Sequence, residues 1–193
     1  MKEIRLTRRA FLASTTTTAI LAGRVYSQNT AQVVPRKLSP KEKLNIASIG
    51  VGGMGQGDVM GVSGENIVAL CDVDWKRAEE TFYKLPNAKK YKDFRVMLEE
   101  MDKEIDAVTV STPDHMHAPA AYMAMTLGKH VRVQKPLTQT IAEARLLAKT
   151  AKEKGIVHAM GNQGHSGNGI RELCEMVWAG AIGQIRESHT WTD

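Results

Sequence analysis

Apolar and polar positions alternate along this chain in two rhythms. Short β-branched or apolar runs read as strands: Leu44 to Ile49, Asn66 to Asp72, Lys89 to Tyr91, Ile105 to Ser111, His130 to Gln134 and Ile156 to Met160. Between them lie stretches with helical spacing. One opens near Gly55 and runs to about Val62, where Ser63 and Gly64 end it. Asp74 can cap a helix from Trp75 to about Lys84, with Pro86 beyond it. Asp93 can cap another to about Met101, with Phe94, Met97, Leu98 and Met101 on one face. A further helix should reach Leu127 and close at Gly128. From Thr138 to Lys154 the pattern is amphipathic, with Thr140 and Glu143 as a capping box and Leu146, Leu147 and Ala151 inward. Strictly alternating strand and helix predicts a doubly wound α/β fold with a parallel sheet and right-handed crossovers.

The connection after the first strand carries the first chemical signal. Gly50, Gly52 and Gly55 fit G-x-G-x-x-G, between a strand and a helix, with Asp72 about 20 residues on. Gly50 permits the tight turn, Gly52 lets a pyrophosphate approach the backbone, and Gly55 lets helix and sheet pack closely. The helix N-terminus offers free N–H groups to phosphates. Asp72 stands where a carboxylate accepts the adenosine ribose hydroxyls. A glycine-rich turn that binds nothing would lack this agreement of strand, spacing and acid. NAD is favoured because Asp72 would repel a 2′-phosphate, although Lys76 and Arg77 leave NADP open.

Two later loops fall at carboxyl ends of strands, where such sheets bind ligands. One is Ser111-Thr112-Pro113-Asp114-His115-Met116-His117. Its two histidines and aspartate match no common zinc spacing, so no metal is expected. The other is Lys135-Pro136. A lysine there could reach the nicotinamide end of a cofactor and exchange a proton with a substrate hydroxyl. A surface lysine after a strand is the other reading, and the residues alone leave the two open.

Charge alters the picture at the N-terminus only. Of 26 Lys and Arg, nine lie in residues 1–43 against two acids, so the remaining chain is slightly acidic. The basic balance belongs to a leader and linker and gives no argument for nucleic acid. Thr7-Arg8-Arg9-Ala10-Phe11-Leu12 resembles the twin-arginine export motif, followed by a mild apolar stretch to Ala22 too short and polar for a permanent span. Residues 1–27 are therefore expected to be a signal peptide, and 28–43 a linker. The expected destination is the periplasm or the exterior, reached folded through the twin-arginine machinery. Cys71 and Cys174 lie far apart and read as free thiols.

Five motifs in order, GVGGMG, CDVD, STPDHMHA, GKHVRVQKP and GNQGHS, resemble the Gfo/Idh/MocA oxidoreductases, the group of glucose–fructose oxidoreductase and inositol dehydrogenase. The resemblance spans about residues 44 to 193. It implies a dinucleotide-binding Rossmann domain over 44–164 and the start of a substrate domain over 165–193. It implies that Gly50, Gly52, Gly53, Met54 and Gly55 line the pyrophosphate and Asp72 holds the ribose. Ser111, Thr112, Pro113 and His117 would flank the cofactor towards the nicotinamide. Lys135, followed by Pro136, would act on the substrate hydroxyl. Asn162 and Gln163 would lie at the crossing between domains, with Lys135, Pro136 and Gln163 also against the cofactor and His165 bordering the substrate cleft.

The implied substrate is a sugar, polyol or related cyclic alcohol. Two departures stand out. Gln134 replaces the family's usual glutamate before Lys135. Most of the family's second domain, an open sheet that often forms the oligomer interface, would lie beyond Asp193, and with it the aspartate and histidine that it supplies. Residues 166–180 are expected as its first helix and 184–192 as its first strand. The chain is thus expected to be incomplete, to bind cofactor, and to turn over little alone. Two rival functions stay in view: NAD-dependent glycoside cleavage by transient oxidation, against which Lys135-Pro136 argues, and a non-catalytic dinucleotide-binding module.

Overall fold

The computed structural model describes Pro35, Ser39 and residues 42–191. By its contacts the chain divides into Met1–Val34 and Pro35–Asp193. The signal peptide and most of the linker expected above lie outside the described residues.

Six parallel strands form one sheet in the order β3-β2-β1-β4-β5-β6. They are β1 (Asn45–Ile49), β2 (Asn66–Cys71), β3 (Lys89–Tyr91), β4 (Ala107–Val110), β5 (His130–Gln134) and β6 (His158–Gly161). The helices between them are α1 (Met54–Gly61), α2 (Trp75–Lys84), α3 (Phe94–Glu100), α4 (His117–Thr126) and α5 (Ile141–Lys154). This is the doubly wound dinucleotide-binding order, with its switch point between β1 and β4.

The predicted caps explain where the helices begin. Asp74 accepts the Arg77 N–H at 3.1 Å, and Asp93 accepts the Arg95 N–H at 2.9 Å. Thr140 and Glu143 form the reciprocal capping box of α5. Gly155, at φ 65°, ends it in the left-handed conformation that carries no Cβ penalty.

Side-chain alternation divides the core between the two faces of the sheet. On one face Ala47, Ile49, Ala69, Cys71, Val108, Val110, Val131 and Val133 pack with Met97 and Leu98 of α3, with α4, and with Leu147 of α5. On the other, Leu70 packs with Val51, Val59 of α1 and Ala78 of α2. Each fully buried Leu or Val stabilises the fold by about 1.5–3 kcal/mol relative to leaving it exposed. The second face turns polar towards β5. The buried Thr109 hydroxyl donates to Ser48 Oγ at 2.8 Å, and Arg132 and Gln134 alternate with the inward Val131 and Val133.

Two expectations need correction. Leu146 is 43% exposed, whereas Leu147, Thr150 and Ala151 are buried. Adjacent helical residues point about 100° apart, so Leu146 and Leu147 cannot both face the core. Residues 184–191 form no strand. An isolated extended segment gains no ladder hydrogen bonds, so its alternating pattern alone cannot hold it. Before it, α6 (Gln163–Ser166) and α7 (Asn168–Trp178) do form, and α7 has no buried residue.

Candidate functional site

The carboxyl ends of β1, β2 and β4 open into a cleft of about 1010 Å³. Its floor is the glycine turn. Gly50 donates its N–H to Cys71 O at 2.8 Å, and Ser111 donates to Ile49 O at 2.8 Å, which carries the sheet into the turn. Gly50 has φ 77°, and a Cβ there would meet Ser111 O at 2.6 Å. A Cβ on Gly55 would fall 1.8 Å from Gly50 O. No side chain fits at either position, so helix and turn can be this close only with glycine. Thr81 of α2 braces the turn from below, its buried hydroxyl donating to Val51 O at 2.7 Å.

Asp72, just past β2, holds the turn from the side. Its Oδ2 accepts the N–H groups of Val51 and Gly52, both at 2.9 Å, and its Oδ1 accepts the Asp74 N–H at 2.9 Å. Above the turn lies Arg77, whose side chain a Cβ on Gly52 or Gly53 would strike at 2.8 and 2.7 Å. Its guanidinium places positive charge where phosphates would approach. Helix α1 begins at Met54 with no side-chain cap bond and no acid in its first turn, so its positive dipole end is uncompensated. Farther along the β2–β3 side, Lys92, Asp93, Phe94 and Arg95 line the cleft. Arg95 pairs with Asp93 at 2.6 Å, and that pair holds the Asp93 carboxyl below its usual range.

On the β4 side the wall is Ser111, Thr112, Pro113, His115 and Met116. Thr112 Oγ1 is buried with no hydrogen-bond partner among the described residues. His117 is not in the wall but behind it, 1% exposed. Its Nε2 lies 2.8 Å from Thr112 O and its Nδ1 lies 2.5 Å from Pro136 O. One ring thereby spans the loop after β4 and the turn after β5, which carries Lys135 and a cis Lys135–Pro136 bond. Lys135 is exposed beside the cleft and does not line it.

Gly50, Gly52, Met54, Asp72, Ser111, Thr112 and Pro113 thus share one cavity. Gly53 sits under Arg77, and Gly55 lies buried against the turn. Gln163 opens α6 and is exposed, away from that cavity. Among the described residues, no group of three His, Cys, Asp or Glu gathers as a metal cluster.

Sequence reasoning missed Asp58, Thr81 and Arg132. Asp58, in α1, accepts the Ser111 hydroxyl at 2.6 Å and the Gln134 amide at 2.8 Å and pairs with Arg132 at 3.0 Å. Burial alone would raise its pKa. The hydrogen bonds from Ser111 and Gln134, with the Arg132 charge, outweigh burial and hold it below the ordinary value. The signal was Arg132 itself, a charged residue inside an interior parallel strand, where both faces are normally apolar.

The cradle fits a dinucleotide. Glycines whose Cβ atoms would fill it, a free helix N-terminus, a carboxylate at the second strand's tip and an orphaned Thr112 hydroxyl match pyrophosphate, ribose and amide groups. The comparisons agree. Residues 44–162 match the family model for the Gfo/Idh/MocA oxidoreductases, described as an oxidoreductase family with an NAD-binding Rossmann fold. A glycosyl hydrolase family 109 protein of Shewanella pealeana is 30% identical over 206 positions, covering 94% of this chain and 45% of that protein. The crystal structure of myo-inositol 2-dehydrogenase from Lactobacillus plantarum superposes with a TM-score of 0.66 at 26% identity, covering 75% of this chain and 43% of that one. GenD2 from gentamicin A biosynthesis, solved in complex with NAD, gives a TM-score of 0.58 at 29% identity, covering 66% of this chain and 37% of that one. The chain spans less than half the length of each of these three proteins. Its glycine cradle and strand order, together with the match over residues 44–162, make it a member of the Gfo/Idh/MocA family of NAD-binding oxidoreductases.

Proposed function

We propose that this chain is the nucleotide-binding part of an NAD(P)-dependent oxidoreductase acting on a sugar, polyol or related cyclic alcohol, with Lys135 exchanging a proton with the substrate hydroxyl. One observation carries the reading. His117 contacts both Thr112 O and Pro136 O, so the turn bearing Lys135 is tied to the loop that walls the cofactor cleft. Gly50 to Gly55 would hold the pyrophosphate, Asp72 the adenosine ribose, and Thr112 and Pro113 the nicotinamide side. When bound, the nicotinamide supplies the hydride acceptor. Lys135 would take or return the hydroxyl proton beside it. The inositol 2-dehydrogenase match supports a polyol or sugar substrate. In this reading the enzyme leaves the cytoplasm by the twin-arginine route, and the longer form associates through a second-domain sheet. Residues 1–193 alone would bind cofactor but turn over little.

Turnover of the chain extended to the length of its relatives tests the role of Lys135. Lys135→Ala should lower kcat by about 10²–10⁴-fold while cofactor affinity stays within a few fold. Unchanged kcat would reject it. The Shewanella relative, which matches nearly the whole chain, favours a second reading: NAD as a recycled cofactor for glycoside cleavage. Sugar released from a glycoside without accumulating NADH would favour that reading over the first.

A further inference from the structure

Asp58 is set apart from the cofactor cleft, yet side chains from two neighbouring strands, one of them ending in the cleft wall, converge on it. Its side chain is 7% exposed. Oδ2 accepts from Ser111 Oγ at the end of β4 and from Gln134 Nε2 at the end of β5, while Oδ1 pairs with Arg132. Gln134 then passes the constraint on, because its Oε1 accepts the Lys135 N–H at 3.1 Å. A buried carboxylate is costly unless donors surround it. Packing alone would favour an apolar residue here, so this network has to be explained by what it positions.

We propose that Asp58 is a positioning residue for the nicotinamide end of the cleft: through Gln134 it sets the turn carrying Lys135, and through Ser111 it sets the loop carrying Thr112. The inference rests on the reading of that end of the cleft given above. It also explains the amide at position 134. The side chain there must donate to a carboxylate at 2.8 Å and accept a backbone N–H at 3.1 Å, and an uncharged amide does both. A glutamate would instead face Asp58 with a second carboxylate, which repels it at that distance.

Exchanging the two groups should preserve the network. In Asp58→Asn/Gln134→Glu, an amide nitrogen in place of Oδ2 donates to the new carboxylate and to Ser111 Oγ, whose hydroxyl turns to accept, while the amide oxygen faces Arg132 and the new carboxylate supplies the charge. The test compares the 193-residue wild type with Gln134→Glu, Asp58→Asn and the double variant. Calorimetry measures their affinities for NAD⁺ and for ADP-ribose, which lacks the nicotinamide, and melting measures stability. Gln134→Glu should weaken NAD⁺ about tenfold while changing ADP-ribose less than about twofold, and the double variant should recover most of the loss. Asp58→Asn, a milder change, should fall between wild type and Gln134→Glu. Equal loss of both ligands, or no recovery in the double variant, would overturn the positioning role. So would an NAD⁺ preference over ADP-ribose that persists unchanged in Gln134→Glu. If wild type shows no such preference, the cleft reading itself fails, and this inference with it.

Discussion

The Asp72 carboxylate accepts the Gly52 N–H at 2.9 Å, so the acid that would bind ribose also shapes the turn that would bind pyrophosphate. The same oxygen accepts the Val51 N–H. Hydrogen bonds to a charged acceptor contribute about 1.5–3 kcal/mol each. Asp72→Ala should therefore lower both melting temperature and NAD⁺ affinity, the latter at least about tenfold. Asp72→Ser removes the charge that repels a 2′-phosphate and leaves Arg77 over the turn. Titration with both cofactors should show the NADP⁺ to NAD⁺ affinity ratio rising about tenfold.

Glycines within one turn of α1 should respond in opposite directions. At Gly55 a Cβ would lie 1.8 Å from a backbone oxygen, whereas at Gly57 nothing lies within 4 Å. Gly55→Ala should destabilise by about 3 kcal/mol or more. Gly57→Ala should stabilise by about 0.4–1 kcal/mol, because a helix interior favours alanine. Denaturant melts of the two variants check both signs.

Thiol reactivity should separate the two cysteines. Burial, then the charges of Asp72 and Asp93, push the Cys71 thiol up to about 12 from 9.0. Cys174 is free and partly exposed. At mildly alkaline pH a disulfide reagent should titrate one thiol per folded chain and two after denaturation. Rapid labelling of Cys71 in the folded protein would contradict its burial.

Acid should act on Asp58 with a defined sign. Its folded value lies below the reference 3.8, so the unfolded state takes up a proton first as pH falls. The stability this group contributes is complete above the unfolded value and is lost as pH drops through the folded one. The stability gap between wild type and Asp58→Asn should therefore be widest above about pH 5 and shrink below about pH 4. Asp93 is also held low, but its ion pair is exposed and should contribute little.

Local signals in the sequence carried most of the fold, because each was a backbone requirement met by a particular residue. Asp74, Asp93 and Thr140 mark helix starts by capping them, and Gly50 and Gly55 mark the turn by lacking a Cβ. The place of Asp72 in the cleft was legible from its distance to those glycines. What stayed hidden depends on contacts far apart in sequence. Asp58 meets Gln134 across 76 positions, and Ser111 across 53. Thr81 reaches Val51 across 30. No periodicity encodes such pairs. His117 could be placed in its loop by sequence, but its span between two carbonyl groups depends on how β4 and β5 are juxtaposed. The pattern over 184–191 misled for the converse reason: alternation specifies a strand only where a partner edge exists.

The cleft at Gly50, Asp72 and Thr112 is expected to hold a nicotinamide dinucleotide. The most direct measurement is calorimetric titration of the purified 193-residue protein with NAD⁺, beside Asp72→Ala. Saturable one-to-one binding to wild type and at least about tenfold weaker binding to the variant are expected. No saturable binding to a folded wild type, or equal affinity in both proteins, would contradict it.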